Sequence, residues 1–154
     1  MSISILSVGR MQNRPEAELF AHYQRRIRPV VRLIETADGT GTPLEVKRRE
    51  AVDLLAALPK GAFVVPLDQA GTQFDSPSFA AVLDRWLTLS RPICFIIGGA
   101  EGLDISVINR ADIKMSLGAM TWPHFLARAM LAEQIFRARS ISTGHPYHRS
   151  GRPG

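Results

Sequence analysis

Two hydrophobic rhythms alternate along the chain. Ser2 to Val8 places Ile3, Ile5, Leu6 and Val8 at strand-like spacing and predicts a first strand. Pro15, with Glu16 and Glu18 in the first turn, opens a helix that should run to about Arg28 and stop before Pro29. Val30 to Ala37 is β-branched and apolar, a second strand, followed by an exposed loop from Asp38 to Pro43. Pro43 to Leu58 is a helix with Leu44, Val52, Leu55 and Leu58 on or near one face. Ala62 to Leu67 is a strand, and Ser76-Pro77 starts a helix to about Leu89 with the stripe Phe79, Val82, Leu83 and Trp86. Pro92 to Ile97 is a strand buried on both faces, Leu103 to Arg110 a short helix, and Asp112 to Leu117 a strand. Pro123 to about Ser140 is the longest helix. Strands alternating with helices predict an α/β fold, a parallel sheet covered on both faces.

Composition narrows the class. A chain of 154 residues, 45% apolar and 21% charged, fits one soluble globular domain spanning 1–154. The single cysteine, Cys94, lies in an apolar run and reads as a buried core thiol, consistent with a reducing, cytoplasmic setting. No stretch reaches the roughly 18 apolar residues of a membrane helix. No secretory signal is expected at Met1 to Val8, and no cysteine or histidine cluster suggests a metal. The net charge of +5 is uneven: Gln134 to Gly154 carries Arg137, Arg139, Arg149 and Arg152 and no acid. That bias points to an anionic partner. Arg25-Arg26-Ile27-Arg28 and Lys47-Arg48-Arg49 read as solvated faces.

Three segments carry candidate chemistry. Gly98-Gly99-Ala100-Glu101-Gly102 follows a buried strand, where glycines let backbone amides approach a ligand. It is either a ligand loop or a bare tight turn, and it lacks the spacing of a dinucleotide fingerprint or a P-loop. Leu117 to Trp122 leads from a strand into a helix. Gly118 and Ala119 can free backbone groups for a purine-like ring, between Leu117, Met120 and Trp122, with Leu67 closing a third side. Convergent strand ends form a ligand crevice. The last segment, His145-Pro146-Tyr147-His148-Arg149, offers Tyr147 for stacking on a base and Arg149 for a phosphate, or is a frayed end. On the last helix His124 sits at the N-terminus, where the dipole should keep it neutral. Glu133 and Arg137 form an i,i+4 pair, with a catalytic role for Glu133 as the alternative. Together these features suggest an enzyme that binds a small cofactor and works on RNA.

The residues together resemble the RlmH type of ribosomal RNA methyltransferase, a small branch of the knotted SPOUT class. The resemblance runs from Val8-Gly9 to His148-Arg149. It rests on Leu67-Asp68, Phe95 through Leu103, Pro123-His124, Arg128, Glu133-Gln134, Arg137-Ala138 and His145 through Arg149. It implies a trefoil knot in the C-terminal half and a homodimer that buries the last helix. It implies S-adenosylmethionine held by Leu67, Gly98, Gly99 and the loop Leu117, Gly118, Ala119, Met120, Thr121 and Trp122. The reaction implied is methylation of N3 of a pseudouridine in 23S rRNA of the assembled 70S ribosome. Candidate bases are His148, His124 and Glu133, with Tyr147 stacking the flipped base and Arg149 stabilising the developing anion. The chain departs from the family in the Ser150–Gly154 extension, and in Gly118 and Trp122 within the adenosine loop. A non-catalytic ribosome-binding factor and a knotted tRNA methyltransferase are the alternatives.

Overall fold

The computed structural model describes residues 2–149. The elements in order are β1 (Ile3–Val8), α1 (Pro15–Gln24), β2 (Val31–Thr36), α2 (Pro43–Ala57), β3 (Phe63–Gln73), α3 (Ser76–Leu87), β4 (Ile93–Ile97), α4 (Ile105–Arg110), β5 (Met115–Ser116) and α5 (His124–Thr143). The strands lie in the order β2-β1-β4-β3-β5, and every pairing is parallel. The predicted alternation and class therefore hold. The Ser150–Gly154 extension lies outside the described residues.

β1 and β4 are buried along their whole length. Their period of two divides the core. Ile3, Ile5, Ile93, Phe95 and Ile97 pack with Phe79, Leu83 and Trp86 of α3 and with Leu131 and Ile135 of α5. Leu6, Val8, Cys94 and Ile96 pack on the other face with Leu54 of α2 and Val107 of α4. Each such aliphatic side chain contributes roughly 1.5–3 kcal/mol on burial. Cys94 is fully enclosed, and desolvation pushes its thiol up to about 12, so it is the inert core group expected.

Three element boundaries and one helix face differ most from the sequence reading. α1 ends at Gln24, four residues early. There the Arg26 amide bonds back to the Tyr23 carbonyl and the Gln24 side chain donates to the Val31 carbonyl at 2.8 Å. The chain must double back so that Ile27 enters the core. On α2 the buried positions are Glu50, Ala51 and Leu54, while Leu44 and Val52 are exposed. The Glu50 carboxylate accepts the Gly39 amide at 2.9 Å and so orients the helix. α5 continues three residues past Ser140 and closes on Gly144, whose φ of 76° is the left-handed cap that favours glycine.

The fourth difference shapes the site. β3 continues to Gln73, and its second half shifts register to pair Thr72 with Met115, whereas β5 shrinks to two residues. Gly71 makes this possible: a Cβ there would lie 2.7 Å from the backbone of Lys114 and Met115. The polar run Asp68 to Thr72 gave no apolar alternation to announce a strand. Asp112 anchors the approach to β5 as its carboxylate accepts the Val64 amide at 2.8 Å and meets Arg91 and Arg110 at 3.4 Å each.

Candidate functional site

The middle of β3, where its register shifts, and the carboxyl ends of β4 and β5 converge on a cleft of about 630 Å³. Leu67 comes from β3, Gly98 and Gly99 from the turn after β4, and Leu117, Gly118, Met120, Thr121 and Trp122 from the loop after β5. Eight of the nine residues expected to hold a cofactor thus meet in one cavity. The ninth, Ala119, is exposed in the same loop but does not line the cleft. Glu101 is exposed and off the wall as well. Gln69 and Ala127 line it without having been singled out from the sequence. Ala127 lies one helical turn beyond His124, and that spacing was the available signal.

The glycines shape the wall after β4 by a close backbone approach. A Cβ on Gly98 would lie 2.9 Å from the Gly102 carbonyl carbon, so only glycine lets the turn close. The Gly102 amide bonds the Gly99 carbonyl at 3.0 Å and completes that turn. The opposite loop is braced internally. The Ser116 hydroxyl donates to the Gly118 carbonyl at 3.1 Å and accepts the Gly118 amide at 3.0 Å. Thr121 accepts from the Gln69 amide at 2.9 Å, which ties the β5 loop to β3. Met120 is 74% and Trp122 40% exposed, an apolar rim open to a ligand.

His124 sits on the cleft wall at the start of α5. Burial holds its pKa below the ordinary value of 6.5, and the nearby Arg128 cation adds to this. The direction agrees with the expectation, with desolvation as the leading cause. One turn on, Arg128 is completely buried. It pairs with Glu35 at 2.7 Å and donates to the carbonyls of Val8 and Gly9. It thereby fixes the start of α5 against the ends of β1 and β2.

The tail candidates gather elsewhere. Arg137 grips Glu133 with two bonds, 2.8 and 3.2 Å, the i,i+4 pair read from the sequence. Its guanidinium also meets His148 Nδ1 at 3.1 Å and lies 4.9 Å from the Tyr147 ring centre. A guanidinium only donates, so Nδ1 of His148 carries the lone pair in this arrangement. Tyr147 packs on Phe136 at 4.6 Å, and burial together with the Tyr23 hydroxyl pushes its phenol up to about 12. Arg149 is exposed. Arg137 lies thirteen residues along α5 from His124, about 20 Å at 1.5 Å per residue. The structure therefore does not bring His148, Tyr147 or Glu133 to the cleft of the same chain. Among the described residues no group of three or more histidine, cysteine or acidic side chains is placed to hold a metal, and no helix is long and apolar enough to cross a membrane.

The model of the family described as "Predicted SPOUT methyltransferase" matches residues 1–148. A ribosomal RNA large subunit methyltransferase H of Gluconacetobacter diazotrophicus is 58% identical, covering 97% of this chain and 98% of that one. A protein of the same name from Acidiphilium cryptum is 50% identical over 98% of this chain and 96% of its own. Among solved structures, the SpoU methyltransferase AviRb of Streptomyces viridochromogenes with its cofactor AdoMet is similar at 14% identity and a TM-score of 0.49. The match covers 90% of this chain and spans 58% of that one. With a family match over almost its whole length and relatives at this identity, the chain belongs to the SPOUT methyltransferase family.

Proposed function

We propose that this protein transfers a methyl group from S-adenosylmethionine to N3 of a pseudouridine in 23S rRNA of the assembled 70S ribosome. The observation that carries the reading is the convergence of Leu67, Gly98 and the Leu117–Trp122 loop on one cleft. The names of the relatives support the rRNA substrate. The residues fit the cofactor. The glycine turn brings main-chain groups to the wall, Ser116 braces the Gly118 loop, and Leu67, Met120 and Trp122 supply apolar surface. When bound, S-adenosylmethionine supplies an electrophilic methyl on a sulfonium.

The chain's own work is to position the base and take the N3 proton. Positioning by Tyr147 stacking and by Arg149 at the developing anion supplies much of the rate. A general base adds roughly 10²–10⁴-fold. Of the candidates, Glu133 is held by Arg137, and the Tyr147 phenol stays neutral at working pH. Neutral His124 is left to accept the proton, or His148 once its Nδ1 is released from Arg137. We read the protein as one knotted domain over 1–154, cytoplasmic and dimeric. A trough of about 630 Å³ beside the cleft, lined by Leu19, Tyr23, Phe74 and Met130, supports a second copy seated on α1 and α5. The separation of the tail from its own cleft supports a composite site in which the tail serves the partner subunit.

The test mixes the protein with radiolabelled S-adenosylmethionine and ribosomes lacking this methylation, with naked rRNA and tRNA in parallel. Label in the 23S rRNA of 70S particles, mapped to pseudouridine N3, is expected. Label in tRNA alone, or tight ribosome binding with no transfer, contradicts the proposal.

A further inference from the structure

The structure places the Arg25–Arg28 cluster in a setting its sequence did not suggest. A groove of about 550 Å³ has Arg25, Arg26 and Arg28 on one side and Phe136, His145 and Tyr147 on the other. All three arginines are exposed, and among the described residues none of them is in an ion pair with a carboxylate. On the adjoining helix, by contrast, Arg137 and Arg139 are both neutralised, by Glu133 and Asp84. The groove arginines are held but not compensated. Arg28 donates to the carbonyls of Arg25 at 3.1 Å and Ile27 at 2.8 Å, and Arg26 donates to the His22 carbonyl. Arg139 Nε fixes the Arg28 carbonyl at 3.0 Å. The aromatic side is equally set, with Tyr147 against Phe136.

We infer that this groove is a docking surface for the RNA flanking the target nucleotide, with Arg25, Arg26 and Arg28 on successive phosphates and the His145–Tyr147 side against exposed bases. The inference rests on the rRNA reading above. Preset guanidiniums with free N–H groups and no carboxylate select a polyanion. Aromatic faces opposite them match single-stranded RNA, which offers phosphates and unstacked bases together. Tyr147 belongs both to the groove and to the candidate tail, so RNA held here runs on to the residues proposed to handle the target base.

The experiment measures binding of the full-length protein to purified 70S ribosomes lacking this methylation as a function of KCl concentration. Two variants are compared with wild type: Arg25→Gln/Arg26→Gln/Arg28→Gln, and the charge-keeping Arg25→Lys/Arg26→Lys/Arg28→Lys. Melting temperatures check the fold. Loss of three phosphate contacts is expected to reduce the log-log salt slope by about 2 in the glutamine variant, while the lysine variant keeps most of it. An unchanged slope in the glutamine variant overturns the inference, as does an equal affinity loss in both variants with unchanged slopes. Methyl transfer by wild type is read on the same particles. Transfer with unchanged slopes removes the groove and leaves the proposed function standing. A lowered slope without transfer keeps the RNA surface and removes the proposed reaction.

Discussion

At the N-terminal end of α5 the cleft depends on a close backbone approach, where Gly98 meets Gly102. At the C-terminal end Glu133, Arg137, Tyr147 and His148 hold one another through side chains. The first region is sensitive to one added carbon at Gly98. The second is sensitive to the loss of a single polar group and has no tight backbone approach. Binding of a cofactor needs the fixed shape of the former, and handling of a charged, moving substrate needs the exchangeable partners of the latter.

The sharpest separation of the two comes from the tail. His148→Ala combined with Arg149→Ala should lower methyl transfer to ribosomes by about 10²–10⁴-fold while leaving S-adenosylmethionine affinity unchanged by calorimetry. Normal turnover would remove the tail from the reaction. The reciprocal change is Gly98→Ala, whose Cβ meets the Gly102 backbone at 2.9 Å. Overpacking of this kind costs about 1–3 kcal/mol, so cofactor affinity should fall by roughly 10–100-fold, with the Arg137–His148 contact intact. Wild-type affinity would mean that the turn yields freely.

Arg128 is the exception at the cleft end, a side chain that sets backbone. Arg128→Met leaves the Val8 and Gly9 carbonyls and Glu35 without their partner, and should cost about 3 kcal/mol by denaturant unfolding. A loss below about 1 kcal/mol would make the pair incidental. The smallest effect belongs to His124. Its folded pKa is depressed, so the folded state binds its proton less readily than the unfolded chain. Stability should decline as pH falls from the ordinary value of 6.5 toward the folded pKa and then level off. His124→Gln should flatten that slope, and an NMR titration placing the His124 pKa above 6.5 would reverse the sign.

The fold was legible where burial dictated the pattern. β4 is apolar on both faces and β1 places its aliphatic residues at strand spacing, and Pro15, Pro43 and Ser76-Pro77 mark helix starts. The cleft was legible because its parts follow strands directly, and all but Ala119 of the expected residues line it. The second half of β3 was not, because Gly71 and its polar neighbours serve a backbone approach to β5 that leaves no periodicity. The rotation of α2 escaped as well, since the buried Glu50 that orients it reads as a surface charge. The role of Arg25–Arg28 depends on what the chain folds beside them. Only the turn after Gln24 and the packing of α1 on α5 bring them to Tyr147.

The central claim is a site completed by two chains, and subunit mixing tests it most directly. Gly98→Ala protein, impaired in the cleft, is mixed and re-equilibrated with the His148→Ala/Arg149→Ala protein, impaired in the tail. Transfer to ribosomes is then measured. If each tail serves its partner's cleft, activity should recover to about a quarter of wild type, because half the dimers are mixed and each holds one intact composite site. To exclude a tail serving its own cleft, the double-impaired chain carrying all three changes is mixed with wild type. A composite site predicts that its mixed dimers gain no intact site, whereas a site within one chain predicts one per mixed dimer. Failure of the two single-region variants to restore transfer, with activity following wild-type chain number in the second mixture, would contradict the account.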